Sequence, residues 1–176
     1  MANIYLIGPR ASGKTTVGRL VAQVLDRTFL DADQVLAERL GTSVAEAVAA
    51  HGWPWFRDQE AEVLAGLAVQ HGLVVACGGG VVLAETNRGL LGQGFCVYVQ
   101  CPAEILAARL TSDPLPGQRP SLTGRPLDQE IAEVLAEREP LYLSCAHLVA
   151  PGAEPPDRVA AFILAALGTA ENPVQP

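Results

Sequence analysis

The stretch Gly8-Pro9-Arg10-Ala11-Ser12-Gly13-Lys14-Thr15-Thr16 has the residue types needed to hold a row of phosphates. It fits a pattern of glycine, four residues of any kind, then Gly-Lys-Ser/Thr. Glycines let the backbone curl until several N–H groups face one anion, and the amino end of a following helix adds partial positive charge. Ala11, Ser12, Gly13, Lys14, Thr15 and Thr16 are therefore the nucleotide-binding candidates. Lys14 would reach the outer phosphates, and Thr15 would offer its hydroxyl to a magnesium ion. Lys14 is also the only lysine of the chain, every other basic side chain being arginine. A compact ammonium on a flexible stem fills a position that a planar guanidinium cannot.

Other residues could complete such a site. Arg27-Thr28-Phe29-Leu30-Asp31-Ala32-Asp33 reads as a short strand ending in two carboxylates two apart, which places Asp31 and Asp33 on one side. One would suit magnesium through water and the other a substrate hydroxyl; the competing role, capping a helix that starts near Gln34, fits Asp33 best. Arg57 and Glu60 are close enough to pair, beside the aromatics Trp53, Trp55 and Phe56. A guanidinium held in this way is either a clamp for a substrate carboxylate or a surface ion pair. Gly78-Gly79-Gly80 directly follows the apolar run Leu73–Cys77, so the backbone there either approaches a ligand closely or makes a flexible turn. Four prolines and two glycines mark the long loop from Asp113 to Pro126, and its Arg119 and Arg125 are candidate cations of a lid that closes over phosphates. Arg138 lies near the end of a helical pattern that Pro140 would kink or stop, leaving it free to turn toward the same cleft.

These residues need a frame. Apolar runs at Ile4–Ile7, Leu73–Cys77 and Phe95–Val99, with shorter ones ending at Asp33 and at Ala150, read as strands. Between them lie helical patterns: one after the loop through Val17, Val21 and Leu25, and a short one opened by the Ser43/Glu46 capping box and ended by Gly52. Another runs through Val63, Leu64 and Leu67, then one over Ala103–Thr111, one from Leu127 toward Leu141, and one from Asp157 to Leu167, stopped by Gly168. Strands alternating with helices predict an α/β fold with a parallel sheet covered on both faces. Residues 1–168 form one domain on this reading, with a lid at about 111–126 and a frayed tail over 169–176.

Composition narrows the function. The chain has 176 residues, 49% hydrophobic and 18% charged, and a net charge of -7. This excludes a disordered chain and argues against nucleic-acid binding, which needs a basic face. Cys77, Cys96, Cys101 and Cys145 show no zinc-type spacing and read as reduced thiols, so a cytoplasmic protein is expected. No apolar run approaches the roughly 20 residues that span a membrane, so no membrane partner is expected either. His51, His71 and His147 share no spacing with a nucleophile or a metal cluster and are assigned structural roles.

Taken in order, Gly8 to Thr16, Asp31-Ala32-Asp33, Phe56-Arg57-x-x-Glu60, Gly78-Gly79-Gly80, Arg119-Pro120 and Arg138-x-Pro140-Leu141-Tyr142 resemble the shikimate kinases, from Met1 to about Ala166. The resemblance implies a nucleoside-monophosphate-kinase-like P-loop fold with a five-stranded parallel sheet. It also implies transfer of the γ-phosphoryl group of ATP to the 3-hydroxyl of shikimate, in aromatic amino-acid synthesis; separately, a monomer is expected. Carried over residue by residue, Lys14 and the loop hold phosphates while Thr15 and Asp31 attend Mg2+. Asp33 bonds substrate hydroxyls and either acts as base or only positions the hydroxyl, Arg57 and Arg138 grip the carboxylate, Gly78, Gly79 and Gly80 lie at the substrate, and Arg119 is the lid cation. Cys77 stands where that family often shows threonine. Another small-molecule kinase, such as a gluconate kinase, and a non-catalytic nucleotide binder are the competing readings of the loop.

Overall fold

The computed structural model of the chain describes residues 1–112 and 123–171. Five strands, β1 (Ile4–Ile7), β2 (Phe29–Asp31), β3 (Val74–Ala76), β4 (Phe95–Gln100) and β5 (Leu148–Pro151), form one parallel sheet in the order β2-β3-β1-β4-β5. The central strand β1 pairs with β3 through Ile4 and Val74 and with β4 through Ile4 and Phe95. Among the described residues, seven helices connect and cover the strands: α1 (Lys14–Leu25), α2 (Ala32–Leu40), α3 (Val44–Ala68), α4 (Glu85–Leu91), α5 (Ala103–Ser112), α6 (Leu127–Cys145) and α7 (Pro156–Glu171).

The uninterrupted apolar runs of the strands follow from burial on both faces. Tyr5, Ile7, Val75, Cys77, Cys96 and Tyr98 face one core with Leu36, Phe56, Leu64 and Tyr142. Ile4, Leu6, Val74, Val97 and Val99 face the other with Val17, Val21, Val159 and Ile163. The sheet's connections diverge between β1 and β3, because the chain leaves β1 for β2 on one side and leaves β3 for β4 on the other. Ligand crevices open at such a switch point, beyond the carboxyl ends of the strands. The Gly8–Thr16 loop and the Gly78–Gly80 turn emerge there side by side.

Several boundaries differ from expectation. β2 stops at Asp31, which is extended and caps α2 through its side chain, accepting from the backbone N–H of Asp33 and Gln34. The cap is thus Asp31, and Asp33 lies in the first helical turn instead of alternating along a strand. Pro140 does not end α6, which continues to Cys145. Arg138 and Tyr142 on either side of it are both buried, and their packing holds the helix through the missing N–H. Gly168 is helical too, α7 running on to Glu171. Gly52, at φ 81° and ψ 166°, does break α3 into the two helices expected, and the Ser43/Glu46 capping box is formed. The short helix α4 has no counterpart in the sequence reading. Most of the loop expected as a lid, Arg119 included, and the tail from residue 172 lie outside the described residues.

Gly18 sets how closely α1 approaches the sheet. A Cβ there would come within 2.6 Å of the Phe29 ring on β2. Alanine ordinarily favours a helix over glycine by about 1 kcal/mol, but overpacking a core costs about 1–3 kcal/mol. Gly18→Ala is therefore expected to lower stability by about 1–2 kcal/mol, read as a lower urea midpoint at unchanged slope; a gain in stability would show that the helix shifts freely.

Candidate active site

The loop after β1 has the conformation that its glycines allow. Gly8 has φ 141° and Gly13, which precedes α1, has φ 99°. A Cβ on Gly8 would lie 2.8 Å from the Val99 carbonyl oxygen. Ala11 holds a left-handed φ of 59° without being glycine, a conformation that persists only where its surroundings impose it. Arg109 of α5 contributes to that, donating from Nη1 to the Ala11 carbonyl at 3.1 Å and from Nη2 to the Gly152 carbonyl at 3.0 Å. Lys14 donates from Nζ to the carbonyls of Gly8 at 3.0 Å and Pro9 at 2.7 Å. The ammonium thereby spans the loop it belongs to.

At the start of α1, Thr15 donates from Oγ1 to Asp31 Oδ2 at 2.7 Å. A hydroxyl and a carboxylate are brought together beside the phosphate loop, a hard-oxygen pair of the kind Mg2+ prefers alongside phosphates and water. Among the described residues no cluster of three or more His, Cys, Asp or Glu side chains could hold a metal unaided.

A cleft of about 490 Å³ runs from this pair past Asp33 to a group of arginines, lined by Arg10, Lys14, Asp33, Arg57, Glu60 and Arg138 among others. Arg57 donates from Nη1 to Glu60 Oε2 at 2.8 Å and lies over the rings of Trp53 at 5.0 Å and Phe56 at 5.6 Å. Of the two roles open to it, the surface ion pair does not fit: Glu60 is buried and the guanidinium faces the cleft. Arg138, only 8% exposed, reaches in from α6 and donates from Nη1 to the Gly79 carbonyl at 3.1 Å. Tyr142, one turn on, donates its hydroxyl to the same carbonyl and stacks on Tyr98. Burial pushes the Tyr142 phenol up to about 12, so it remains a donor.

The triple glycine floors this end. A Cβ on Gly80 would overlap the Arg57 guanidinium, and one on Gly78 would lie 2.5 Å from Glu60 Oε1 and 2.6 Å from Asp33 Oδ1. The close approach expected from the sequence is therefore made first of all to the protein's own charged groups. Gly79 and Gly80 line the cleft as well, whereas Gly78 sits behind it.

Asp33 is exposed on the cleft side, and its carboxylate lies against the Gly78 turn. Desolvation, then the neighbouring carboxylates Glu60 and Asp31, push it up to about 6 against the pull of Lys14 and Arg57. It is thus poised to exchange a proton near neutrality. Burial likewise pushes the Cys77 thiol well up, so it stays a neutral packing residue at the end of β3.

Of the residues expected at the site, Ala11, Lys14, Thr15, Asp31, Asp33, Arg57, Gly79, Gly80 and Arg138 line one cleft. Ser12 is buried beneath the loop, Thr16 is exposed on α1, and Gly13 shapes the backbone. Arg125 is at the surface, paired with Glu133, and does not reach the cleft. His147 accepts from the Cys96 backbone N–H at 3.1 Å, the structural role assigned to it. The sequence reading missed Arg10, which stands at a variable position of the loop pattern, and Arg109, which lies outside the loop on α5.

Comparison with known proteins agrees with this geometry. The family model described as shikimate kinase matches residues 10–168. A shikimate kinase 2 of Syntrophotalea carbinolica is 46% identical over 157 residues, covering 89% of this chain and 91% of that one. A shikimate kinase of Oleidesulfovibrio alaskensis is 46% identical over 171 residues, 97% and 99% of the two chains. Among solved structures, a shikimate kinase from Acinetobacter baumannii in complex with shikimate superposes with a TM-score of 0.91 at 33% identity, over 99% of this chain and 96% of that one. A gluconokinase from Sinorhizobium meliloti, at 17% identity and a TM-score of 0.62, shares the fold alone. With a phosphate loop, a glycine floor and facing arginines in one cleft, and a family match over nearly its whole length, the chain belongs to the shikimate kinase family.

Proposed function

We propose that this chain is a shikimate kinase in action as well as in family, transferring the γ-phosphoryl group of ATP to the 3-hydroxyl of shikimate in the synthesis of chorismate and the aromatic amino acids. One observation carries the reading: Arg57 and Arg138 converge over Gly79 and Gly80 at one end of a cleft whose other end is the phosphate loop, with Asp33 between them. A small hydroxy acid fits that arrangement, its carboxylate taken by two planar forks and its hydroxyl set toward the phosphates.

In the reaction the hydroxyl oxygen forms a bond to the γ-phosphorus as the bond to the ADP oxygen breaks, and the hydroxyl proton passes to Asp33. Little covalent help is needed; the rate comes from holding the partners in line and neutralising charge. Lys14 exchanges its loop carbonyls for phosphate oxygens, and the N–H groups around Gly13 and the start of α1 face the same anion. Thr15 and Asp31 fit Mg2+, which would neutralise phosphate charge there. The remaining assignments rest on the family pattern: Gly78 shaping the substrate site, Arg119 and the 111–126 segment closing over the phosphates, and 1–168 acting as one domain. We further propose a cytoplasmic monomer, in keeping with four free cysteines and, among the described residues, no helix long and apolar enough to cross a membrane.

The direct test is ADP release with magnesium-ATP and shikimate, gluconate or a nucleoside monophosphate as acceptor. Turnover is expected with shikimate alone, and Lys14→Ala is expected to lower kcat by at least about 100-fold; turnover of another acceptor in preference would overturn the assignment.

Asp33 gives a second test. If it must be ionised to take the proton, kcat/KM rises about tenfold per pH unit up to about 6 and levels off above it. In stability the sign is opposite. The folded carboxyl titrates near 6 while the unfolded one titrates at its ordinary 3.8, so the unfolded chain ionises first and stability falls between those values as pH rises. Asp33→Asn is therefore expected to melt higher than the parent at pH 7.5, with the gap closing near pH 4. A rate profile flat through pH 6, or a variant that melts lower at pH 7.5, would contradict the role of that carboxyl.

A further inference from the structure

Two arginines were expected at the acid end of the cleft, yet three are there. The third, Arg10, stands in a variable position of the phosphate loop. Its side chain lines the cleft with Arg57 and Arg138, and its backbone nitrogen and Cγ lie 3.5 and 3.8 Å from where a Cβ on Gly79 would be. It is therefore packed on the same glycine whose carbonyl takes Nη1 of Arg138. Facing it from α6 is Glu130, a carboxylate only 5% exposed. Glu130 is fixed by Thr123, whose backbone N–H and hydroxyl donate to Oε2 at 2.8 and 3.0 Å.

The charges acting on Arg10 come from all sides. Burial disfavours its positive charge, Glu130 is the foremost charge offsetting that, Arg138 and Arg57 oppose it, and Asp33 favours it. Arg57 is paired with Glu60. Three arginines meet around one glycine turn, and with Arg57 already paired to Glu60 in the cleft wall and Glu130 acting on Arg10, the excess positive charge of Arg10 and Arg138 suits an incoming anion.

We propose that Arg10 is a third cation for the carboxylate of the acid substrate and that Glu130 is its positioning residue, so that the phosphate loop itself reads the acid. This rests on the proposed function, because the anion is the carboxylate of the acceptor. A compact ring acid would then be held on one side by Arg57 and Arg138 and on the other by a residue rigidly joined to the nucleotide loop. The consequence is that Arg10 sets the preference for a charged over a neutral acceptor, a property that general damage to the fold would not change.

The test compares shikimate with its neutral carboxamide in the full chain. Arg10→Leu keeps the bulk and removes the charge. It is expected to raise KM for shikimate by about tenfold, the scale of one charge-assisted hydrogen bond, with KM for ATP within about twofold. The kcat/KM ratio of shikimate over carboxamide should fall by a similar factor. Glu130→Gln, which can still accept from Thr123, should lower that ratio by about threefold while kcat is kept. If Arg10→Leu folds poorly by circular dichroism, Arg10→Lys, which keeps a cation but loses the fork, is used for the same ratio, and an intermediate value is expected. A ratio at the parent value in the folded Arg10 variant overturns the inference and leaves the proposed function standing. A parent protein that does not turn over shikimate overturns the proposed function first.

Discussion

The site depends on a stretch of backbone that carries no side chains. Where β3 ends, Gly78 leaves room for the carboxylates of Asp33 and Glu60, and Gly80 leaves room for the guanidinium of Arg57. Opposite charges can be held within a few ångströms of one another at the crevice only because the chain passing between them is bare. With even alanine at Gly80, the volume needed by Arg57 would be taken, and its pairing with Glu60 and its seat on Trp53 and Phe56 would be displaced together. The Gly79 carbonyl adds the remaining constraint by drawing Arg138 and Tyr142 in from α6, so two elements distant in sequence meet on one oxygen.

From this point the energetics and the chemistry use the same groups. Desolvation, with Glu60 and Asp31 beside it, raises the proton affinity of Asp33 toward neutrality, as the proposed role of taking a proton from an alcohol would require. The bonds from Lys14 to Gly8 and Pro9 hold the loop in shape with the same ammonium that would serve phosphate. Asp31 is used twice over, one oxygen closing the first turn of α2 and the other accepting from Thr15. Such sharing makes the site compact and leaves few residues that could be replaced without a functional consequence.

How much of this could be read from the chain follows from the range of the forces involved. The loop at Gly8–Thr16 was legible because its geometry is local: glycines, one lysine and a helix start in consecutive positions. The strands were legible because burial on both faces leaves continuous apolar runs, and the capping box of α3 because its partners are three residues apart. The end of β2 was misread because Asp31 and Asp33 suit a strand end and a helix cap equally well, and the backbone N–H groups they serve decide between them. Of the two outcomes open at Pro140, a stop does not occur, because the packing of Arg138 and Tyr142, a tertiary effect, outweighs the local preference to end the helix there. The helix α4 was missed because it has seven residues, a glycine within them and no side-chain cap. Arg10 and Arg109 were invisible for a different reason. Arg10 is placed by Gly79 and Glu130 and Arg109 by Ala11 and Gly152, each too distant in sequence from the arginine it serves to leave a pattern.

The central claim is geometric: the carboxylate lies among the arginines over Gly79 and the reacting hydroxyl lies at Asp33, facing the loop. A crystal structure of the chain with shikimate and magnesium-ADP tests it most directly. We expect the carboxylate within hydrogen-bond distance of both Arg57 and Arg138, and the 3-hydroxyl within that distance of Asp33 and pointing toward the ADP phosphates. A substrate bound the other way round, with its carboxylate at Lys14 or its 3-hydroxyl away from Asp33, would contradict the assignment of both ends of the cleft.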